Sequence, residues 1–167
     1  MFRRLAILLV LAAALPSCGL RPLYGGAQGT SIRAMLQEVA VAPIEGQSGW
    51  LVRNKLVDRL GDGQGPAPRY RLVVTLDDNL TAFGIRGDRA ATFERRSLRA
   101  RYQLVSAKTG LVLLDATAGS DAGIDIVSSE YATVAAEQTA LERLAEQVAD
   151  QIATRLAVYA SRTGPAQ

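Results

Sequence analysis

Few residues in this chain could carry covalent chemistry. Its 167 residues include one cysteine and no histidine. Cys18 is therefore the only thiol nucleophile, and a disulfide within one chain is impossible. The lack of histidine removes the commonest general base, the usual zinc ligands and the Ser-His and Cys-His nucleophile pairs. Carboxylates alone remain. Asp77-Asp78 is the one adjacent acidic pair, but neighbours on a strand point to opposite faces and cannot share a substrate. The pair reads as the polar end of a strand. Gly61-Asp62-Gly63-Gln64-Gly65 lacks the Lys-Ser/Thr ending of a phosphate loop and runs into Pro66-Ala67-Pro68. It reads as a helix stop and a loop. The composition therefore predicts no catalytic residue, no metal and no cofactor other than a covalent group on Cys18.

Arginines offer a different chemistry, that of binding. Between Arg86 and Lys108 there are seven basic residues against Asp88 and Glu94. From Gly110 onward eight acids face only Arg143, Arg155 and Arg162. A guanidinium fork matches phosphate, and several on one rigid strand would form a site for a phosphorylated head group. Arginines on a solvated strand also guard a sheet against aggregation, or lay their stems over neighbours.

The start of the chain decides where such a site would work. Arg3 and Arg4 precede an eleven-residue apolar run, Leu5 to Leu15, and then Pro16-Ser17-Cys18. This is the layout of an export signal, and the run is shorter than the roughly 20 residues that span a bilayer. Leu15-Pro16-Ser17-Cys18 resembles the bacterial lipoprotein signal, in which the cysteine takes a thioether lipid before cleavage in front of it. Acyl chains each contribute about 0.8 kcal/mol per buried methylene, and two or more anchor stably. Gly19 stands where that pattern puts Asp to hold a lipoprotein in the inner membrane, which points to the periplasmic side of the outer membrane. Cutting before Cys18 removes 17 residues and leaves 150, a single-domain length. Arg3 and Arg4 leave with the signal, so 17 basic side chains face 16 acidic ones. Such a balance excludes a general nucleic-acid binder.

The expected organisation is a signal over 1–17, an anchor and extended segment over 18–31, one α+β domain over 32–161, and a disordered tail over 162–167. Residues 19–31 are rich in Gly and Pro. Met35 to Ile44 reads as a first strand ended by Pro43. Trp50 to Leu60 reads as a helix capped by Ser48, with Val52, Leu56 and Leu60 on one face and Trp50 packed. Arg69 to Leu80 alternates as a strand with Tyr70, Leu72, Val74 and Leu76 inward. Asn79 to Ala91 reads as a hairpin arm or loop. Thr92 to Val105 is a strand with Leu98, Ala100, Tyr102 and Leu104 inward. Leu111 to Ala118 is the next strand, and Gly119 to Val127 a loop. A final helix over about 130–161 carries a stripe of Leu141, Ala145, Val148, Ile152, Leu156 and Tyr159. The order β-α-β-β-β-α predicts a two-layer α+β sandwich, with two helices on one face of a mixed, mostly antiparallel four-stranded sheet. Arg95 or Arg96, Arg99 and Arg101 would then line the open face, with Arg71 nearby.

Cys18-Gly-Leu-Arg-Pro-Leu-Tyr-Gly25 resembles the mature start of the LPS-assembly lipoprotein LptE family. Ser129-Glu130-Tyr131-Ala132-Thr133, with the Ala/Glu-rich helix ending in Arg155-Leu156, is similar to that family's final helix. The resemblance implies the same fold and a non-catalytic role. Such a protein plugs and helps assemble a large outer-membrane β-barrel, one copy per barrel, and assists delivery of lipopolysaccharide to the cell surface. A plug needs a polar outer surface because wide barrel lumens are polar. The resemblance also implies contact with lipopolysaccharide, for which Arg95, Arg99 and Arg101 are the candidates. Leu20, Pro22, Leu23 and Tyr24 are candidates for docking on the partner. The competing reading is an accessory lipoprotein of an ABC-type export system that presents substrate in the periplasm.

Overall fold

The structure is a computed structural model that describes residues 26–61, 68–85, 91–127 and 129–163. The signal, Cys18 and the docking candidates Leu20, Pro22, Leu23 and Tyr24 lie outside the described residues. The elements in order are α1 (Gly26–Gln37), β1 (Val39–Val41), α2 (Gly46–Leu60), β2 (Tyr70–Ile85), β3 (Ala91–Ser106), β4 (Val112–Asp125) and α3 (Glu130–Thr163). The strands lie in the order β1-β2-β3-β4. β1 is parallel to β2, and the other pairs are antiparallel. A two-layer α+β sandwich with a mixed four-stranded sheet is what the alternation of patterns predicts.

The core forms where the two periodicities meet. Along β2 and β3, even-numbered side chains face the helices: Leu72, Val74, Leu98, Ala100, Tyr102 and Leu104 are all buried. α3 answers with Leu141, Leu144, Ala145, Val148, Ala149, Ile152, Leu156 and Ala157. Its alanines let the helix approach the sheet closely, and the larger side chains fill the gaps between them. α2 adds Val52, Leu56 and Leu60 at four-residue steps. Gln47 bonds to Gln138, and Arg59 to Asp150. Both pairs are 91 residues apart in sequence, so α2 and α3 run parallel side by side. Burial desolvates the Tyr102 hydroxyl and raises its pKa.

Several expectations are corrected. A third helix, α1, joins the two expected. Residues 26–31 form its first turns rather than an extended segment, and residues 35–37 close it rather than opening a strand. Ile32 and Leu36 explain this: their four-residue spacing puts both on one helical face, and both are buried in the core. That burial outweighs the poor helix propensity of Gly26 and Gly29. β1 is then only three residues long, followed by one bond from the Ala42 N–H to the Leu72 carbonyl. α2 starts at Gly46 with Glu45 at its N-cap and no side-chain cap, so Ser48 lies inside the helix. Trp50 is 63% exposed, not packed. The stretch Gly119 to Val127 is mostly strand, because β4 continues to Asp125.

Candidate functional site on the open face of the sheet

Helices cover one face of the sheet, and the odd-numbered residues of β2, β3 and β4 form the other. The register sets out its rows: Val73-Gln103-Asp115, Thr75-Arg101-Thr117, Asp77-Arg99-Gly119, Asn79-Ser97-Asp121, Thr81-Arg95-Gly123 and Phe83-Phe93-Asp125. Arg95, Arg99 and Arg101 therefore share this face on the central strand β3, as expected. Arg96 does not. It points to the helical layer and makes a two-pronged bond to Asp78, at 2.9 and 2.8 Å. Its third nitrogen donates to the Glu137 carbonyl at 3.4 Å.

Sequence periodicity alone could not show that β4 supplies carboxylates to the arginine row. Arg99 donates to both oxygens of Asp121, at 3.0 and 2.7 Å, and to the Ser120 carbonyl at 2.9 Å. Arg101 donates to both oxygens of Asp115, at 3.2 and 2.8 Å, and Gln103 adds a third bond. The Asp115 carboxyl is held down at about 2, chiefly by its hydrogen bond from Arg101 and then by that from Gln103. The Asp121 carboxyl is also lowered, first by the Ser97 hydroxyl, then by Arg99, with a smaller contribution from the charge of Arg95. The signal for this pairing was present in the excess of acids after Gly110, but only the register assigns each acid to its arginine.

Glycines on β4 make room for these side chains. A Cβ at Gly119 would lie 2.5 Å from Arg99 Cδ, so Arg99 crosses β4 where there is no side chain. A Cβ at Gly123 would lie 2.5 Å from Phe93 Cζ. Phe93 rests there and meets Phe83 edge-on, with ring centroids 4.9 Å apart. Arg95 completes the group, its guanidinium carbon 5.2 Å from the Phe83 ring centre. This is a cation–π arrangement. A shallow hollow of about 550 Å³ lies on the same face beyond the Asn79-Ser97-Asp121 row, lined by Thr75, Asp77, Arg99, Arg101, Thr117 and Gly119 among others. Exposed apolar residues gather at the Phe83 end of the domain, where Val127 is half exposed and Tyr131 is 91% exposed.

On the helical side of the same end, one Glu94 carboxylate oxygen is buried with no hydrogen-bond partner among the described residues. Desolvation first, then the charge of Glu137 and a shared hydrogen bond with it, raise the Glu94 pKa. Among the described residues no cluster of three or more His, Cys, Asp or Glu could hold a metal ion. Among them also, no helix is long and apolar enough to cross a membrane.

The family model for LptE, lipopolysaccharide-assembly, matches residues 36–156. A candidate lipoprotein from Caulobacter crescentus CB15, known from a crystal structure, is 25% identical with a TM-score of 0.67, covering 79% of this chain and 97% of its own. Rare lipoprotein B of Shewanella oneidensis is 10% identical with a TM-score of 0.53, covering 72% and 92%. Lipoprotein B of Nitrosomonas europaea is 10% identical with a TM-score of 0.57, covering 74% and 83%. These two share the fold with this chain. No curated protein matches it.

Proposed function

This chain belongs to the LptE lipopolysaccharide-assembly family, and on that premise we propose that it is a non-catalytic outer-membrane lipoprotein, anchored through lipid on Cys18. It faces the periplasm, sits one copy per barrel inside the lipopolysaccharide-translocating β-barrel, assists that barrel's assembly, and helps pass lipopolysaccharide to the cell surface. The family match over residues 36–156 carries this reading. Residues 18–25 add the anchor and a docking segment in which Leu20, Pro22, Leu23 and Tyr24 meet the barrel. A plug must offer a polar surface to a polar lumen, and the arginine–aspartate lattice of the open face fits that need.

Lipopolysaccharide contact falls to the β3 row. Arg95 is the leading member, because its guanidinium lies over Phe83 beside Phe93 and so sets a cation next to apolar rings. That combination suits a phosphorylated amphiphile. Arg99 and Arg101 are already bonded to Asp121 and Asp115. They offer phosphate their remaining N–H donors and hold the face in shape.

Depletion of the protein tests the main reading, with lipopolysaccharide exposure at the surface and heat-modifiable migration of the barrel as readouts. Loss of both is the expected result; normal exposure and a mature barrel refute it. Changing Arg95, Arg99 and Arg101 together to Ser should weaken lipopolysaccharide binding to the purified protein. Unchanged binding removes these arginines from the proposal.

A further inference from the structure

The two edges of the sheet are treated differently. β4 is closed at its middle by α3: the Gly119 N–H donates to Gln151 Oε1 and its carbonyl accepts from Gln151 Nε2, both at 3.1 Å. Ser120 bonds to Gln147, one turn earlier on α3. At the opposite edge β1 pairs only with Tyr70, Arg71 and Leu72. Among the described residues no strand lies on this side of β2 from Val73 onward.

The direction of the free groups follows from the bonds that β1 does make. The Tyr70 N–H donates to the Glu38 carbonyl, and the Leu72 carbonyl accepts from the Ala42 N–H. Even-numbered residues of β2 thus turn their backbone groups to this edge, while odd-numbered ones bond to β3. Val74, Leu76, Asp78, Leu80 and Ala82 continue the series, and among the described residues no strand pairs with their outward N–H and C=O groups. Such an edge is a template for another strand.

From this we infer that the β2 edge over residues 74–82 receives an extended strand from a different protein, one that carries a basic residue opposite Asp77. Charge argues against a second copy of this chain. A two-fold antiparallel pairing that engages all five residues centres on Asp78, whose carboxylate is already held by Arg96. It brings the two Asp77 carboxylates to about 7 Å as diagonal neighbours, and like charges so placed are destabilising. Asp77 is exposed on the open face, where it accepts from Asn79 Nδ2 at 2.7 Å. Arg99 opposite it on β3 is bonded to Asp121 instead, so a Lys or Arg on the added strand would complete its charge pairing. On the helical side Leu76 is partly buried and Leu80 is 44% exposed. The added strand therefore sets apolar side chains on that side and polar ones, including the cation, on the open side. This assignment does not depend on lipopolysaccharide binding, but it rests on the proposed assembly with a partner protein in the membrane.

Hydrogen exchange tests it on the full lipidated chain, compared between the assembly isolated from its own membranes in mild detergent and the chain purified free. In the assembly, the amides of Val74, Leu76, Asp78, Leu80 and Ala82 should exchange about 100-fold more slowly or better, while the odd-numbered amides, already in the ladder with β3, stay unchanged. Leu80→Pro removes an N–H that faces the free edge and no β3 bond, a change that edge strands tolerate. It should abolish the added protection while the free chain keeps its unfolding transition. Equal exchange in both states overturns the inference, as does protection that survives Leu80→Pro. Protection that appears in the concentrated free chain and fades on dilution assigns the edge to a second copy and overturns it too.

Discussion

Replacing Arg96 by Met should destabilise the protein by about 2 kcal/mol, although the arginine lies beyond the arginine row. The Arg96 and Asp78 side chains are only 17% and 20% exposed and joined by two short bonds. Exposed pairs contribute about 0.2–1 kcal/mol, whereas breaking a fully buried pair costs about 3–5 kcal/mol because a charge is left uncompensated. A largely but not fully buried, two-pronged pair falls between these limits. Methionine keeps most of the stem's volume, so the loss comes mainly from the Asp78 carboxylate without its partner. The Arg96 pKa is raised first by its hydrogen bond to Asp78, so the guanidinium keeps its charge throughout the neutral range. At about 3 °C per kcal/mol for a chain of this size, the midpoint should fall by about 6 °C. Asp78→Asn together with Arg96→Met should recover part of the loss, with a coupling of about 1–2 kcal/mol in a double-mutant cycle. Urea unfolding followed by far-UV circular dichroism is the assay, since Trp50 is too exposed to report on the core. A loss below about 0.5 kcal/mol for Arg96→Met would refute the argument, because the pair would then behave as a surface pair.

Leu56→Ala, at a fully buried position on α2, should cost about 3 kcal/mol, read in the same urea titration. Gly123→Ala should push the Phe93 ring from its seat and loosen its contact with Phe83; NMR shifts at the two rings would follow this, with stability changing little beyond about 1 kcal/mol. In a carbon-detected titration the Asp115 carboxyl should have its midpoint near 2 and move up toward the unperturbed value of about 3.9 in Arg101→Ser, stopping short of it because Gln103 still donates to the carboxylate. Because this pKa is depressed, the stability it supplies is present above the unfolded value and is lost as pH falls toward 2. Glu94 has the opposite sign: its raised pKa supplies stability at low pH that is lost as pH rises through the folded value. Glu94→Gln should therefore raise the thermal midpoint at pH 7 and leave it nearly unchanged at pH 4.

Periodicity along the chain settled much of this protein. Alternation over Tyr70 to Leu76 and Leu98 to Leu104 determined which side chains enter the core, because each strand's two faces are fixed by a period of two. The three- and four-residue stripe of α3 determined the helical layer in the same way. The position of Arg95, Arg99 and Arg101 on one face was legible for that reason too, since odd spacing along one strand keeps a common side. Local signals failed where distant burial decided. Gly26 to Ser31 reads as extended, yet Ile32 and Leu36 are drawn onto the core and the helix forms around them. Gly119 and Gly123 read as loop residues. In the folded sheet they are strand residues left bare so that Arg99 and Phe93 can lie across them. Only the tertiary structure could turn Arg96 inward to Asp78, pair Arg99 with Asp121 and Arg101 with Asp115, close the β4 edge with Gln151 and leave the β2 edge open. Each of these depends on the register between strands or on the length of a neighbour, and such relations between segments are not written in the pattern of any one of them.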